Sequence, residues 1–464
     1  MDRSIRIGPP SETRRRIVMT MEDHPTIKWF NEITETQLAE SGPFETDYKK
    51  IKETAAEAGA DDCGIADICS LDLENEREGI LALYPETKAL ISIVIKLNRE
   101  NVQCVSRCVS DHEFIQGFDR TNVVAKKLAT LLRAHGINAL HPSAGFPMDV
   151  SKWPGRMWPI SHKTVAVAAG MGHLGHNRLI IHPDFGNFIV LGTVLIDRCV
   201  TKYDTSLDYN PCIKCGLCIS ACPVGAIAAD GGFSFINCMV HNYRDRMGGF
   251  SDWVENIVKS RNVKDYRSRV KDTETVAMWQ SLSYGICNKS SYCMAACPAG
   301  KENIGQYLSD RKGYNERVIR PLQNNTETVF VLPKSDAVDY VTKKYPHKPV
   351  KKVGSGIRPA TAAGFLASLP LVFQKGRSVG VDATYHFTFT GDENIKATVD
   401  IRNRGVEVKK GHVGKPDISI NADSKTWLGF VSKEKNLFHA LLSRKIKIKG
   451  SPLRMKEFAG CFPL

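Results

Sequence analysis

The sequence predicts a mixed α/β chain followed by a smaller α+β unit. Three observations carry this. Residues 89–95 and 189–196 are β-branched apolar runs that read as buried strands. Between them, Val123, Val124, Leu128, Leu131 and Leu132 form one helical stripe closed by Gly136. After residue 383 a second strand-rich pattern begins, with its own turns and amphipathic stretches. Strands separated by helices indicate an α/β layer, and the cysteine-rich segment between the two patterns reads as an insert.

Taken in order, residues 1–45 are polar and irregular and read as an N-terminal arm. Residues 49–58 have helical composition, ending at Gly59 as C-cap. The α/β core spans 46–200. Within it lies an unusual segment, Ala169-Gly170-Met171-Gly172-His173-Leu174-Gly175-His176-Asn177, followed by Ile181-His182-Pro183-Asp184-Phe185-Gly186. Closely spaced glycines let backbone approach a flat or bulky group. It does not match G-x-G-x-x-G after a strand, which argues against a dinucleotide, and a tight turn with surface histidines reads equally well. Residues 333–358 are rich in Lys, Pro and Gly and read as a linker. In 359–464, a helix-like stretch from Thr361 precedes strands at 383–389, 396–401, 406–409, 417–422 and 445–449. Amphipathic pieces near 427–430 and 437–442 come before the last strand.

The insert, 201–332, holds the strongest signal. Cys212-Ile-Lys-Cys215-Gly-Leu-Cys218-Ile-Ser-Ala-Cys222-Pro223 reads C-x2-C-x2-C-x3-C-P, the bacterial ferredoxin run for 4Fe–4S clusters. Zinc sites use two separated C-x2-C pairs instead. A second ending, Cys293-Met-Ala-Ala-Cys297-Pro298, has Cys287 upstream. In two-cluster ferredoxins the last cysteine of each run crosses to the other cluster. The first cluster then takes Cys212, Cys215, Cys218 and Cys297. The second takes Cys222, Cys287, Cys293 and one more, for which Cys238 is the choice.

Of 14 cysteines, eight fall in these motifs, and the other six show no ligand pattern. Clustered thiolates stay reduced in a reducing compartment, so a cytoplasmic location is expected. A formal charge of +13 fits nucleic acid, an acidic partner or an anionic surface. The basic residues are dispersed and not interleaved with aromatics, so a solvated basic surface is favoured and nucleic acid is not. No apolar run reaches the length of a membrane span. Arg14-Arg15-Arg16 lacks the apolar stretch of an export signal.

The order of motifs from Lys49 to Pro298 resembles the epoxyqueuosine reductase and reductive dehalogenase superfamily: the glycine segment, Ile-His-Pro-x-Phe-Gly, an apolar strand, then two cysteine runs with Cys238 between them. The resemblance implies a nitroreductase-like core binding cobalamin, with two 4Fe–4S clusters feeding electrons to cobalt and on to an organic substrate. It places Gly172, Gly175, His176 and Asn177 on the corrin side. There are departures. The epoxyqueuosine reductases' acid and lysine fall at Arg156 and His176, no tyrosine lies between Tyr84 and Tyr203, and tRNA-binding repeats are missing. The proton donor is then sought among His176, His173 and Arg156. Histidine titrates near neutrality, whereas arginine stays charged and suits an electrostatic role.

Residues 359–464 resemble a sterol-carrier-protein-2-type domain, carried by the 385–389 strand, Asp417-Ile-Ser-Ile and the ending 441–450. This implies an apolar tunnel that binds a lipid-like ligand or shields an active-site mouth; a structural cap or dimerisation module reads equally well. The expected partners are a small apolar or lipid-like substrate and a reduced ferredoxin or flavodoxin. Two other readings remain: a non-catalytic electron-transfer protein, and a lipid-binding protein with structural clusters.

Overall fold

Four strands in the order Asp62–Asp67, Ala89–Lys96, Ile189–Ile196 and Ala139–Leu140 form the sheet of the core, each pair antiparallel. The computed structural model describes residues 24–32, 45–285, 291–435 and 437–463. The described residues from 45 onward belong to one compact unit and those of 24–32 to another. Of the latter, the helix Pro25–Glu32 is described, and the rest of the expected arm up to residue 44 lies outside the described residues.

The apolar runs are continuous because both faces of the sheet are covered. Ile91, Ile93 and Ile95 share a core with Ile51, Val124 and Leu128. Leu90 and Val94 point the other way, against Leu73, Ile80 and Val165. Each fully buried side chain of this kind stabilises the fold by about 1.5–3 kcal/mol. The helix Tyr48–Ala58 stops at Gly59, which adopts φ +109° and bonds back to the last turn. The helix expected at 123–135 is the C-terminal part of the helix Arg107–Ala134. Its earlier turns bury Arg107, Ser110 and Asp111, so the apolar stripe is not visible there.

The stretch read as a linker is folded. Residues Asp336–Lys344 form a helix, and Val350–Lys352 pairs in parallel with Val329–Val331. Its lysines and prolines mask a spaced set of buried anchors: Ala337, Val341, Tyr345 and even Lys348 are buried. Charged residues on one face of a helix do not make a linker when the other face is apolar.

The C-terminal sheet has the order Gly405–Lys410, Ile395–Arg402, Ala383–Thr390, Ile418–Asp423, Ile446–Gly450, with one parallel pair in its centre. The helix Ala362–Val372 packs on it. Inside, the Phe365 ring meets those of Trp427, Phe387 and Phe389 at 5.4–6.2 Å. This core is continuous with the insert: Ile236, Met239 and Val240 of the helix Phe235–Asn242 are buried in the same cluster as Phe365, Leu369 and Phe387. That helix carries Cys238.

Candidate cluster sites and cavity

The first thiol set forms where a loop reverses twice. Lys214 and Gly216 have positive φ, and the helical turn Leu217–Ala221 follows. Cys212, Cys215, Cys218 and Cys297 then line one small pocket, with His176, Asn177 and Ala299. Cys297 and Ala299 share an apolar cluster with Ile181, and Cys212 packs against it. Burial pushes the Cys218 thiol up to about 12, and raises Cys215 and Cys297. Thiolates are costly there without cations, and iron supplies the compensating charge. Among the described residues no three ligating side chains stand close enough to hold a single metal ion.

Cys222, Cys238 and Cys293 come together on the wall of a much larger cavity of about 470 Å³. Burial raises all three thiols, Cys293 to about 12; charge on Cys222 raises Cys238 and Cys293 further, and charge on Cys293 raises Cys238. The Ala226 amide donates to Cys222 Sγ at 3.3 Å. Cys287, the expected fourth ligand, lies outside the described residues.

Asn177 lines both the small pocket and the cavity. Its Nδ2 donates to the Cys293 carbonyl at 3.4 Å, and its Oδ1 accepts from the Leu179 amide at 3.2 Å. The side chain is therefore held between the two thiol sets.

The cavity walls are mainly apolar, with Phe118, Met157 and Ile189 among them, and Trp158 and Phe146 are partly solvent-exposed. Several polar groups also face it. His162 uses both ring nitrogens, on Thr193 Oγ1 at 2.8 Å and the Ser143 carbonyl at 2.9 Å, and burial lowers its pKa. Lys163 Nζ donates to the Arg178 carbonyl at 2.7 Å. It lines the cavity and keeps exposed surface, while desolvation by the surrounding protein lowers its pKa and thiolates at Cys293 and Cys238 oppose this. Burial likewise raises Tyr243, with Cys238 and Cys293 adding to it. Asn187 is 1% exposed, and neither atom of its carboxamide has a partner.

Of the residues named from the sequence, the structure brings Asn177 to the cavity. His176 faces the small cysteine pocket instead, with Nδ1 buried and unpartnered. His173 is tied to the Leu207 carbonyl at 2.8 Å. Arg156 is ion-paired to Glu76 at 2.5 Å and donates to the Trp158 and Pro159 carbonyls. Neither lines the cavity wall. Gly172 and Gly175 serve a hairpin, His173–Leu174 against Ile180–Ile181. A Cβ on Gly172 would collide with the Ile181 carbonyl, and one on Gly175 would sit 2.8 Å from the Ile181 side chain. The room that a side chain would need at either glycine is taken by Ile181. Lys163, Asn187 and Tyr243 were not legible. Lys163 lies in the segment before the glycines, where the expected acid drew attention to Arg156.

Comparisons with known proteins agree with the first cysteine run and the C-terminal sheet. Residues 205–228 match the 4Fe-4S binding domain family and residues 374–462 the SCP-2 sterol transfer family. The epoxyqueuosine reductase of Cyclobacterium marinum is 25% identical over 217 residues, covering 41% of this chain and 66% of that protein. The Vibrio cholerae epoxyqueuosine reductase is 35% identical over 81 residues, 18% of this chain and 21% of that protein. The chain thus spans less than two thirds of these relatives. Among solved structures, the epoxyqueuosine reductase of Streptococcus thermophilus is similar at 16% identity and TM-score 0.33, over 60% of this chain and 79% of that one. A reductive dehalogenase is similar at 14% identity and TM-score 0.36, over 60% and 37%. The chain is a relative of the epoxyqueuosine reductases, with an iron–sulfur domain and a C-terminal domain of the SCP-2 family.

Proposed function

We propose that this chain is a cobalamin-dependent iron–sulfur reductase, in which two 4Fe–4S clusters deliver electrons in series to a corrinoid in the cavity and on to a small apolar organic substrate. The observation that carries the reading is the placement of the thiol sets: one lines its own pocket, the other forms part of the cavity wall, and Asn177 touches both. A cavity of about 470 Å³ with apolar walls and a few polar groups fits a cofactor or small-molecule site.

Cys212, Cys215, Cys218 and Cys297 would hold the first cluster, and Cys222, Cys238, Cys293 and Cys287 the second. A bound corrinoid supplies a low-potential cobalt centre that can reduce carbon centres. Lys163 offers a cation, and a proton, at the cavity wall, taking the role sought at His176. With its pKa lowered by burial it is a better acid than an exposed lysine. An acidic ferredoxin or flavodoxin suits the +13 chain as electron donor. No described helix is long and apolar enough to cross a membrane, and the buried thiol sets favour a reducing, cytoplasmic setting.

Anaerobic purification with hydroxocobalamin, followed by iron, sulfide and cobalt analysis, tests this. The reading expects about eight irons and about one cobalt per chain. Eight irons without cobalt would leave an electron-transfer protein; zinc in place of iron would end both.

A further inference from the structure

The helix Gly249–Lys259 is amphipathic, but its orientation is inverted. Asp252, Glu255 and Asn256 recur at helical spacing on one face, and Phe250, Val254, Ile257 and Val258 on the opposite one. A surface helix ordinarily packs its apolar stripe on the core. Here the charged face points inward. The Asp252 carboxylate accepts from the buried Arg244 guanidinium at 2.8 Å and from the Gly354 amide at 3.1 Å, and Glu255 is ion-paired to Arg358. All four apolar residues are exposed, Val258 at 77%. The helix Asp272–Tyr284 repeats the pattern. Its Glu274 is paired with Arg244 and Lys351, while Val276, Trp279, Leu282 and Tyr284 are exposed. Both helices are thus fastened to Arg244 by their carboxylates. Trp253 Nε1 donates to the Tyr266 hydroxyl at 2.9 Å, and that hydroxyl meets Thr275 Oγ1 at 2.6 Å, which ties both to the short helix Val263–Arg269 between them.

The segment is rooted on the cavity. Tyr243 and Met247 line the cavity before it, and Ser291 and Tyr292 line it after. Arg246 donates to the Gly285 carbonyl at 2.8 Å and closes the base. Exposed apolar faces of this kind mark a surface for a partner or a membrane. Charge decides between the occupants. The stretch from Lys259 to Asp272 holds six basic residues and two acidic ones, and all six basic residues are exposed. A second copy docking by the same face would set this basic rim against itself. An anionic bilayer complements it. Trp279 and Tyr284, in edge contact at 5.9 Å, join apolar rings to polar tips, the chemistry of the headgroup boundary. The aliphatic side chains enter below them, and the lysines and arginines meet lipid phosphates.

We propose that residues 249–284 form a peripheral membrane-docking surface, which lays its outward helix faces into the headgroup layer of an anionic phospholipid bilayer. The docking rests on the two helices and not on what the cavity binds. An apolar substrate would concentrate in the same bilayer, beside the cavity it enters.

The test uses the full chain with clusters in place. Wild type, Ile257→Ser/Val258→Ser, Lys264→Gln/Lys271→Gln and Trp279→Phe are floated with vesicles of phosphatidylcholine, alone or with about one third phosphatidylglycerol. Iron content and melting temperature confirm that each variant is intact. Wild type should float with the anionic vesicles, and the serine pair should lower its partition coefficient by at least about tenfold. The glutamine pair should lower it by about fivefold per charge, an effect that added salt removes. Brominated acyl chains in the anionic vesicles should quench the tryptophan emission of the wild type more than that of Trp279→Phe. Wild type that stays off anionic vesicles overturns the proposal. So does equal binding by the serine pair, which would mean adsorption by charge alone. A concentration-dependent dimer in sedimentation velocity that the serine pair dissolves would give the face to a second copy and overturn it as well.

Discussion

The two thiol sites are built from similar cysteine runs but meet different surroundings. The first lies in a loop whose Ile213 is 46% exposed, next to Lys214. The second lines an apolar cavity, and one of its cysteines sits on a helix shared with the C-terminal core. The difference gives the proposed electron path a direction. An outer cluster near solvent suits a docking donor, and an inner cluster at a cavity wall suits delivery. Sequence spacing identifies both sets but is silent on which is outer.

The largest expected effect comes from breaking the inner site. Cys293→Ser should lose the inner cluster, retain about four of about eight irons and abolish turnover. Iron analysis with a turnover assay checks this, and full iron content would show that Cys293 is not a ligand. Next is the C-terminal domain. Ending the chain at residue 358 strips Ile236, Met239 and Val240 of Phe365, Leu369 and Phe387. Each exposed apolar contact of this size costs about 2–5 kcal/mol, so the Cys238 helix should loosen and the inner cluster be lost while the outer one stays. A truncated protein with all its iron would make the domain a separable module instead.

Smaller is the loss at Lys163. Lys163→Ala should keep iron and corrinoid and lose turnover by about 10²-fold, within the range for a positioned proton donor. Since burial lowers its pKa, the wild-type rate should fall with rising pH before an ordinary lysine would deprotonate. A pH-independent rate would remove the role. The smallest effect concerns the rim between core and C-terminal domain. Lys375 is 2.6 Å from Asp230 and holds its carboxyl below the ordinary value. A lowered folded pKa stabilises at pH above the unfolded value, and that contribution disappears as pH falls through the folded pKa. Both groups are exposed, so Lys375→Ala should barely move the melting temperature at neutral pH.

Much of the fold was legible because its signals are local. The runs at 89–95 and 189–196 became the central strands, and the strand-like pieces after 383 became the C-terminal sheet within a residue or two. The cysteine runs were legible because a cube of iron and sulfur dictates short spacings. What was hidden depends on tertiary neighbours. Lys348 looks like linker chemistry until Tyr345 and Tyr292 pack around it. The sequence shows the glycines at 172 and 175 but not the Ile180–Ile181 strand that packs against them.

The most direct measurement is the rate at which bound corrinoid is reduced by a ferredoxin, a donor too large to enter the cavity, in wild type and in Cys215→Ser. Stopped-flow absorbance under anaerobic conditions reads it. The path in series predicts rapid reduction in the wild type and a rate lower by at least about tenfold when the outer cluster is lost and the inner one remains. Reduction at the wild-type rate without the outer cluster would contradict it.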